Sequence, residues 1–197
     1  SGGLHGVGIS VVNALTTETV VEVAREKQLY RQTFSRGKAQ GSIEKLGAVS
    51  NRRGTRVTFQ PDPEIFGEDA RFSPARAYKL ARSKAYLFKG VEIRWSCDPS
   101  LIADGDETPA EETLHFPNGI LDFLNLKLKG REGFIQSPFY GEIPFANNEG
   151  KVEVAISWPS DEEGFTRSYC NTIPTPQGGT HEIGLRSALV KGIKNFG

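Results

Sequence analysis

The opening run Ser1-Gly2-Gly3-Leu4-His5-Gly6-Val7-Gly8-Ile9-Ser10 leads without a break into Val11-Val12-Asn13-Ala14-Leu15. Four glycines in seven residues let the backbone take positive φ values and approach a ligand closely. The apolar residues after them predict a short helix. A glycine turn at a helix start brings free N–H groups and the positive end of the helix dipole to one place, which is the chemistry of a phosphate site. The same feature narrows the fold. No Lys-Ser/Thr pair succeeds the glycines, so this is not a Walker loop. No βαβ unit with a ribose-binding acid succeeds them either, which argues against a dinucleotide fold.

Beyond the short helix the sequence alternates. Thr19–Arg25 and Leu29–Phe34 read as two strands of a hairpin across a polar turn at Glu26-Lys27, with β-branched and aromatic residues on alternate positions. Turns are expected at Ser35–Lys38 and Asn51–Gly54. The second feeds Thr55-Arg56-Val57-Thr58-Phe59, a strand closed by Pro61 and Pro63. Ser73 then caps a helix with Pro74 at its first position. That helix runs to about Phe88 and presents Ala77, Leu80, Ala81, Lys84 and Leu87 on one face. Gly90 stops it, and Val91, Ile93, Trp95 and Cys97 alternate as a strand.

The second part is expected to begin near Phe116-Pro117-Asn118-Gly119, with a short helix carrying Ile120, Phe123, Leu124 and Leu128. Strands are predicted at Lys151–Trp158 and Phe165–Cys170, joined by a turn at Ser160–Gly164. Thr180 is expected to cap a last helix whose apolar line is Leu185, Ala188, Leu189, Gly192, Ile193 and Phe196. The fold class is therefore α+β, as two units in succession.

Composition restricts the chemistry. Apolar residues make up 37% of the chain, which is thin for one core. Twenty-four basic residues balance 24 acidic ones, so net charge favours no polyanion. Locally the balance breaks. Residues 71–89 hold six Lys/Arg and no acid, whereas residues 98–115 hold six Asp/Glu and no Lys/Arg. This reads as a solvated helix face beside an acidic loop, with a patch for DNA or a partner subunit as the alternative. The acidic loop lacks the ligand ladder of a calcium site. Cys97 and Cys170 have no metal spacing and read as buried strand thiols, with a disulfide as the alternative. No apolar stretch approaches the length of a membrane span. The absence of Met leads us to expect a segment of a longer reading frame.

Three segments carry a family resemblance. Gly3-Leu4-His5-Gly6-Val7-Gly8-Ile9-Ser10-Val11-Val12-Asn13-Ala14-Leu15 resembles the ATP-lid signature of the type II topoisomerase ATPase subunits, within the GHKL superfamily. Arg53-Gly54-Thr55-Arg56-Val57-Thr58-Phe59 is similar to the family's Gly-Thr strand. Ile173-Pro174-Thr175-Pro176-Gln177-Gly178-Gly179-Thr180-His181 resembles the Gly-Gly-Thr-His lead into a long transducer helix. The order and intervals fit across the chain. Residues 71–74, 90–93 and 168–174 look more like the decatenating branch of the family than its supercoiling branch.

The resemblance implies the C-terminal part of a GHKL (Bergerat-type) ATPase sandwich over residues 1–115, followed over 116–197 by part of a transducer domain with a βαβ-type fold. It implies ATP and Mg²⁺ as cofactors. Backbone amides of Gly3, Leu4, His5, Gly6, Val7, Gly8 and Ile9 would cradle the phosphates. The His5 imidazole would reach a phosphate oxygen or pack in the loop, and Thr55 would support the adenine side through its hydroxyl and a water. The general base and the Mg²⁺ ligand are expected upstream of Ser1 and a phosphate-contacting Lys beyond Gly197, so no catalytic or metal-binding residue is assigned here. Lys191 and Lys194 lie outside that motif. His181 reads as a helix-start residue and His115 as surface. The implied partners are DNA, the second, DNA-cleaving type of subunit of the same enzyme and another copy of the ATPase subunit on ATP binding, in a cytoplasmic, nucleoid-associated setting without a membrane. A nucleotide-gated protein clamp and a non-catalytic binding module are the readings from other classes.

Overall fold

The computed structural model describes residues 6–146, 150–161 and 164–197. The chain divides into two compact units, Ser1–Arg71 and Phe72–Gly197.

The first unit opens with α1 (Gly8–Ala14), followed by β1 (Thr16–Arg25), β2 (Gln28–Ser35), β3 (Lys38–Ala39), β4 (Glu44–Ala48), β5 (Gly54–Pro61) and α2 (Pro63–Phe66). The strands form one antiparallel sheet in the order β3-β2-β1-β5, with β4 also pairing along β2. The predicted hairpin is present. Its two turn residues, Glu26 and Lys27, both have positive φ (53° and 60°), the conformation that matches strand twist in a two-residue hairpin. Glu22 faces Arg31 across that hairpin at 2.9 Å and also meets Arg52 at 3.5 Å. Arg31 is the main cause that holds the Glu22 carboxyl below its ordinary range. Strand β4 was not predicted, because Glu44-Lys45-Leu46-Gly47-Ala48 lacks alternation and has a central glycine at φ 125°. Among the described residues of this unit, Ala24 is the one buried apolar side chain; Val57 and Phe59 on β5 remain 38% and 41% exposed.

The second unit contains α3 (Pro74–Leu87), β6 (Glu92–Ser96), β7 (Glu111–His115), α4 (Ile120–Leu128), β8 (Phe139–Pro144), β9 (Lys151–Ile156), β10 (Tyr169–Cys170), β11 (Ile173–Pro174) and α5 (Thr180–Phe196). Ser73 Oγ accepts the Arg76 amide, so α3 begins as predicted. Its buried face differs. Ala85 and Tyr86 join Leu114, Phe116 and Phe123 in the core, with Tyr78 and Ala81 beside them, while Leu80 is 58% exposed. The two tyrosines, uncounted in the sequence stripe, turn the helix by about one position. Tyr86 stacks on Phe123 at 4.2 Å and meets Phe116 edge-on at 6.0 Å. Its hydroxyl hydrogen-bonds that of Tyr169. This core lies on both sides of position 115.

The segment 165–168 has no regular structure; only Tyr169–Cys170 of the predicted strand pairs, with Ile173–Pro174 across the positive-φ residues Asn171 and Thr172. Strand β9 pairs instead with β8, a strand hidden in the sequence by Pro138, Gly141 and Pro144. Residues 162–163 of the predicted turn lie outside the described residues. Cys97 is half-buried beyond the end of β6 and Cys170 is exposed, so the expected burial of both thiols does not hold; both are free.

The charge contrast resolves into local pairings. Lys84 Nζ donates to the Thr172 carbonyl at 3.0 Å, and Tyr78 OH donates to Glu112. Lys89 reaches Glu142 at 2.6 Å, Glu153 at 3.2 Å and the hydroxyl of Tyr140, and Lys151 meets the other Glu142 oxygen at 2.7 Å. The stem of Lys89 crosses Gly119, which has φ 64° and ψ −126° and is the N-cap of α4. No described helix is long and apolar enough to cross a membrane.

Candidate functional site

Gly3, Leu4 and His5 lie outside the described residues. The rest of the predicted loop is defined. Gly6 has φ 66°, and a Cβ built there would touch nothing within 4 Å. The glycine is therefore required by the backbone angle rather than by crowding. Val7 is the N-cap of α1 and supplies no side-chain cap. The amides of Gly8, Ile9 and Ser10 have no intrahelical acceptor, and the first turn carries no acid. Gly8 is also open, and Val7 and Ile9 are each 53% exposed. Uncapped donors beside a positive-φ glycine are suited to an anion.

The other end of α1 is fastened. Asn13 O accepts the Gly37 amide at 3.0 Å and the Thr16 hydroxyl at 3.0 Å. Thr16 O accepts the Arg36 amide at 2.8 Å, and Leu15 O accepts the Asp62 amide at 3.1 Å. Thr16 and Thr19, both buried, share a 2.6 Å hydroxyl contact. Asp62 is 1% exposed. Its carboxylate accepts the Glu64 amide at 3.0 Å as the cap of α2, and it meets Arg36 Nε at 2.6 Å and Nη2 at 3.2 Å. Burial pushes the Asp62 carboxyl up, but Arg36 and the Glu64 amide outweigh it and hold the group below its ordinary range. Sequence reasoning missed this pair. The available signal was Asp62 immediately before Pro63, which is a helix-start signature.

Thr55 is exposed on β5 and pairs with Val23. Helix α1 feeds β1 at Thr16, so about 23 Å of strand separates that junction from the Thr55 position. No hydrogen bond among the described residues joins Thr55 to the glycine loop.

At the start of α5, Gly179 is the N-cap and Thr180 is the first helical residue, so Thr180 does not cap as expected. His181 Nε2 lies 3.2 Å from Thr175 Oγ1. Ser168 Oγ contacts Thr175 Oγ1 at 2.6 Å and donates to Glu182. The serine thus faces a threonine and a carboxylate rather than the imidazole, which makes a latch and not a nucleophile–base pair. Among the described residues no three His, Cys, Asp or Glu side chains are grouped to hold a metal.

Residues 119–197 match the DNA gyrase B family. The B subunit of DNA topoisomerase 4 from Bartonella bacilliformis is 54% identical over 196 residues, covering 100% of this chain and 28% of that protein. The 43K ATPase domain of Thermus thermophilus gyrase B, solved in complex with an aminocoumarin, is 34% identical with a TM-score of 0.79. That match covers 98% of this chain and 50% of the solved one. The topoisomerase IV ATP-binding domain of Francisella tularensis, solved with a small-molecule inhibitor, is 30% identical with a TM-score of 0.70, covering 100% and 51%. The chain thus spans 28% of the first relative and about half of each solved domain.

Proposed function

The chain belongs to the family of type II topoisomerase B subunits, and from that premise we infer that it contributes the ATP lid and the start of the transducer to an ATP-driven DNA strand-passage enzyme. The observation that carries this reading is the positive-φ Gly6 feeding the uncapped amides of α1. In this proposal the amides of Gly3 to Ile9 hold the triphosphate as charge shifts during phosphoryl transfer. The Thr55 hydroxyl supports the adenine side. The exposed donors of Gly8 to Ser10 fit a phosphate. The described carboxylates do not fit a metal site, so we assign the general base and the Mg²⁺ ligands to residues outside 1–197.

Residues 1–115 would complete the ATPase domain, and residues 116–197 would begin the transducer. The DNA gyrase B match, which starts at residue 119, supports a division near that point. The 54% identity to a topoisomerase 4 B-type chain favours decatenation and relaxation as the output. The partners would be DNA, the DNA-cleaving ParC-type chain of topoisomerase IV and a second copy of the ATPase chain.

Gly6→Val and Gly8→Val in the full-length protein are expected to abolish binding of a non-hydrolysable ATP analogue, read by isothermal calorimetry. Wild-type affinity in Gly8→Val, whose backbone has no positive φ, would reduce the loop to a turn. The isolated chain 1–197 is expected to show no ATP turnover above a boiled control. Reconstitution with the DNA-cleaving chain, comparing decatenation with supercoiling, separates the proposed branch from DNA gyrase.

A further inference from the structure

We propose that Arg36 and Asp62 are positioning residues for the ATP lid: their ion pair clips the base of α1 to the sheet and so sets where the glycine loop stands. This rests on the lid reading above. Helix α1 is seven residues long and buries none of them. A helix that short has little stability of its own. Packing therefore does little to hold it, and the hydrogen bonds at its C-terminal end have to. Three backbone carbonyls there, of Asn13, Leu15 and Thr16, accept amides from Gly37, Asp62 and Arg36. Two of the three donors belong to the pair itself, and the third is the residue after Arg36.

The side chains close the same ring. Arg36 has φ 48° and Gly37 φ 81°, so this turn sits in a region that side-chain-bearing residues occupy only when held there. The guanidinium of Arg36 grips both oxygens of Asp62, and Asp62 caps α2 at the end of β5. One buried carboxylate thus joins three places: the α1–β1 corner, the β2–β3 turn and the β5–α2 corner. The exposed Glu64 carboxylate adds a second partner to Arg36 at 2.8 Å. Removing the fork leaves Asp62 buried without its counter-charge. The turn is then free to leave its left-handed conformation, and the amides that hold α1 move with it.

Two substitutions separate the parts. Asp62→Asn keeps a side-chain oxygen for the Glu64 amide and removes the charge. Arg36→Lys keeps the charge and removes the two-pronged geometry. Both are made in the full-length protein, with Arg25→Gln as an exposed control in the same unit. A purely structural pair would lower the folded fraction, reducing kcat with KM unchanged. A positioning pair raises KM for ATP, and Kd for a non-hydrolysable analogue, about tenfold, the scale of one lost charge-assisted hydrogen bond. We expect that rise in both variants, kcat within threefold of wild type, and no change in Arg25→Gln. If Asp62→Asn does not fold, Arg36→Lys carries the test, because its side chain is half-exposed. Affinity within twofold of wild type in Arg36→Lys, while Gly8→Val still fails to bind, would overturn the proposal and leave the lid reading standing. Wild-type binding by Gly8→Val would overturn the lid reading itself.

Discussion

Gly119→Ala tests whether the Lys89 stem is held where the structure places it. Gly119 has φ 64° and ψ −126°, a region that suits glycine. An alanine there costs about 1–3 kcal/mol in backbone strain. The new Cβ would lie 2.7 Å from Lys89 Cγ, 3.1 Å from Lys89 Cε and 3.1 Å from the Tyr86 carbonyl oxygen. The carbonyl belongs to the helix that carries the core residue Tyr86 and has little freedom to move. The Lys89 stem is the part that has to leave, and it takes the ammonium from Glu142, Glu153 and Tyr140. Overpacking of this kind costs about a further 1–3 kcal/mol. Gly90→Ala supplies the comparison, since Gly90 also has positive φ (77°) but meets nothing within 4 Å. The difference between the two variants isolates the clash from the strain. The chain's two tryptophans, Trp95 and Trp158, both lie in the Phe72–Gly197 unit, so intrinsic fluorescence during urea unfolding reports that unit alone. We expect Gly119→Ala to be less stable than Gly90→Ala by about 1–3 kcal/mol. Equal losses would show that Lys89 does not cross Gly119.

The same fluorescence assay applies to Leu114→Ala, which removes a side chain 2% exposed at the centre of the second core and should cost about 2–5 kcal/mol; a loss below about 1 would mean the site collapses freely. The Glu142 carboxyl is pulled down to about 2, first by Lys151 and then by Lys89 and Tyr140. Because the native value is depressed, the stabilisation is full above the ordinary carboxylate range and fades as pH falls towards about 2. Unfolding midpoints of wild type and Glu142→Gln should therefore differ at neutral pH and converge in acid; a constant gap would refute the pairing. Cys170, exposed, should react with a thiol reagent before Cys97, and labelling in the reverse order would contradict the burial.

Local signals were the legible ones. Ser73-Pro74 marked the start of α3, and the alternation of residues 19–34 gave both the β1–β2 hairpin and its turn. Features that depend on distant partners escaped. Strand β8 carries a mid-strand glycine and ends on Pro144, so it reads as loop until its register with β9 is seen. The reverse error occurred at 165–168, where suitable residues find no ladder. The face of α3 was misjudged because a tyrosine can be counted as polar or apolar. Tyr78 and Tyr86 bury their rings and hydrogen-bond their hydroxyls, which no periodicity count resolves.

The candidate site divides along the same line. The glycine loop was legible because φ is a property of single residues, and Gly6 takes the positive value that its chemistry allows. Thr55 was legible only through resemblance, since as a strand residue it carries no local mark of a ligand. The Arg36–Asp62 clip was legible in neither way. Its members are 26 positions apart, and each reads alone as a turn residue and a helix cap. Strand β1 gives both regions their place: α1 joins it at Thr16, and Thr55 pairs with it at Val23. A ligand touching both must be elongated, with an anionic end at the loop and a hydrogen-bonding end near β5. A nucleoside triphosphate has that polarity, and inorganic phosphate does not. Pyrophosphate or triphosphate alone should therefore protect the residue 8–16 amides from hydrogen exchange in the full-length protein, whereas slowing at 54–57 should require the nucleoside. Slowing at 54–57 by triphosphate alone would break the assignment of Thr55 to the base end.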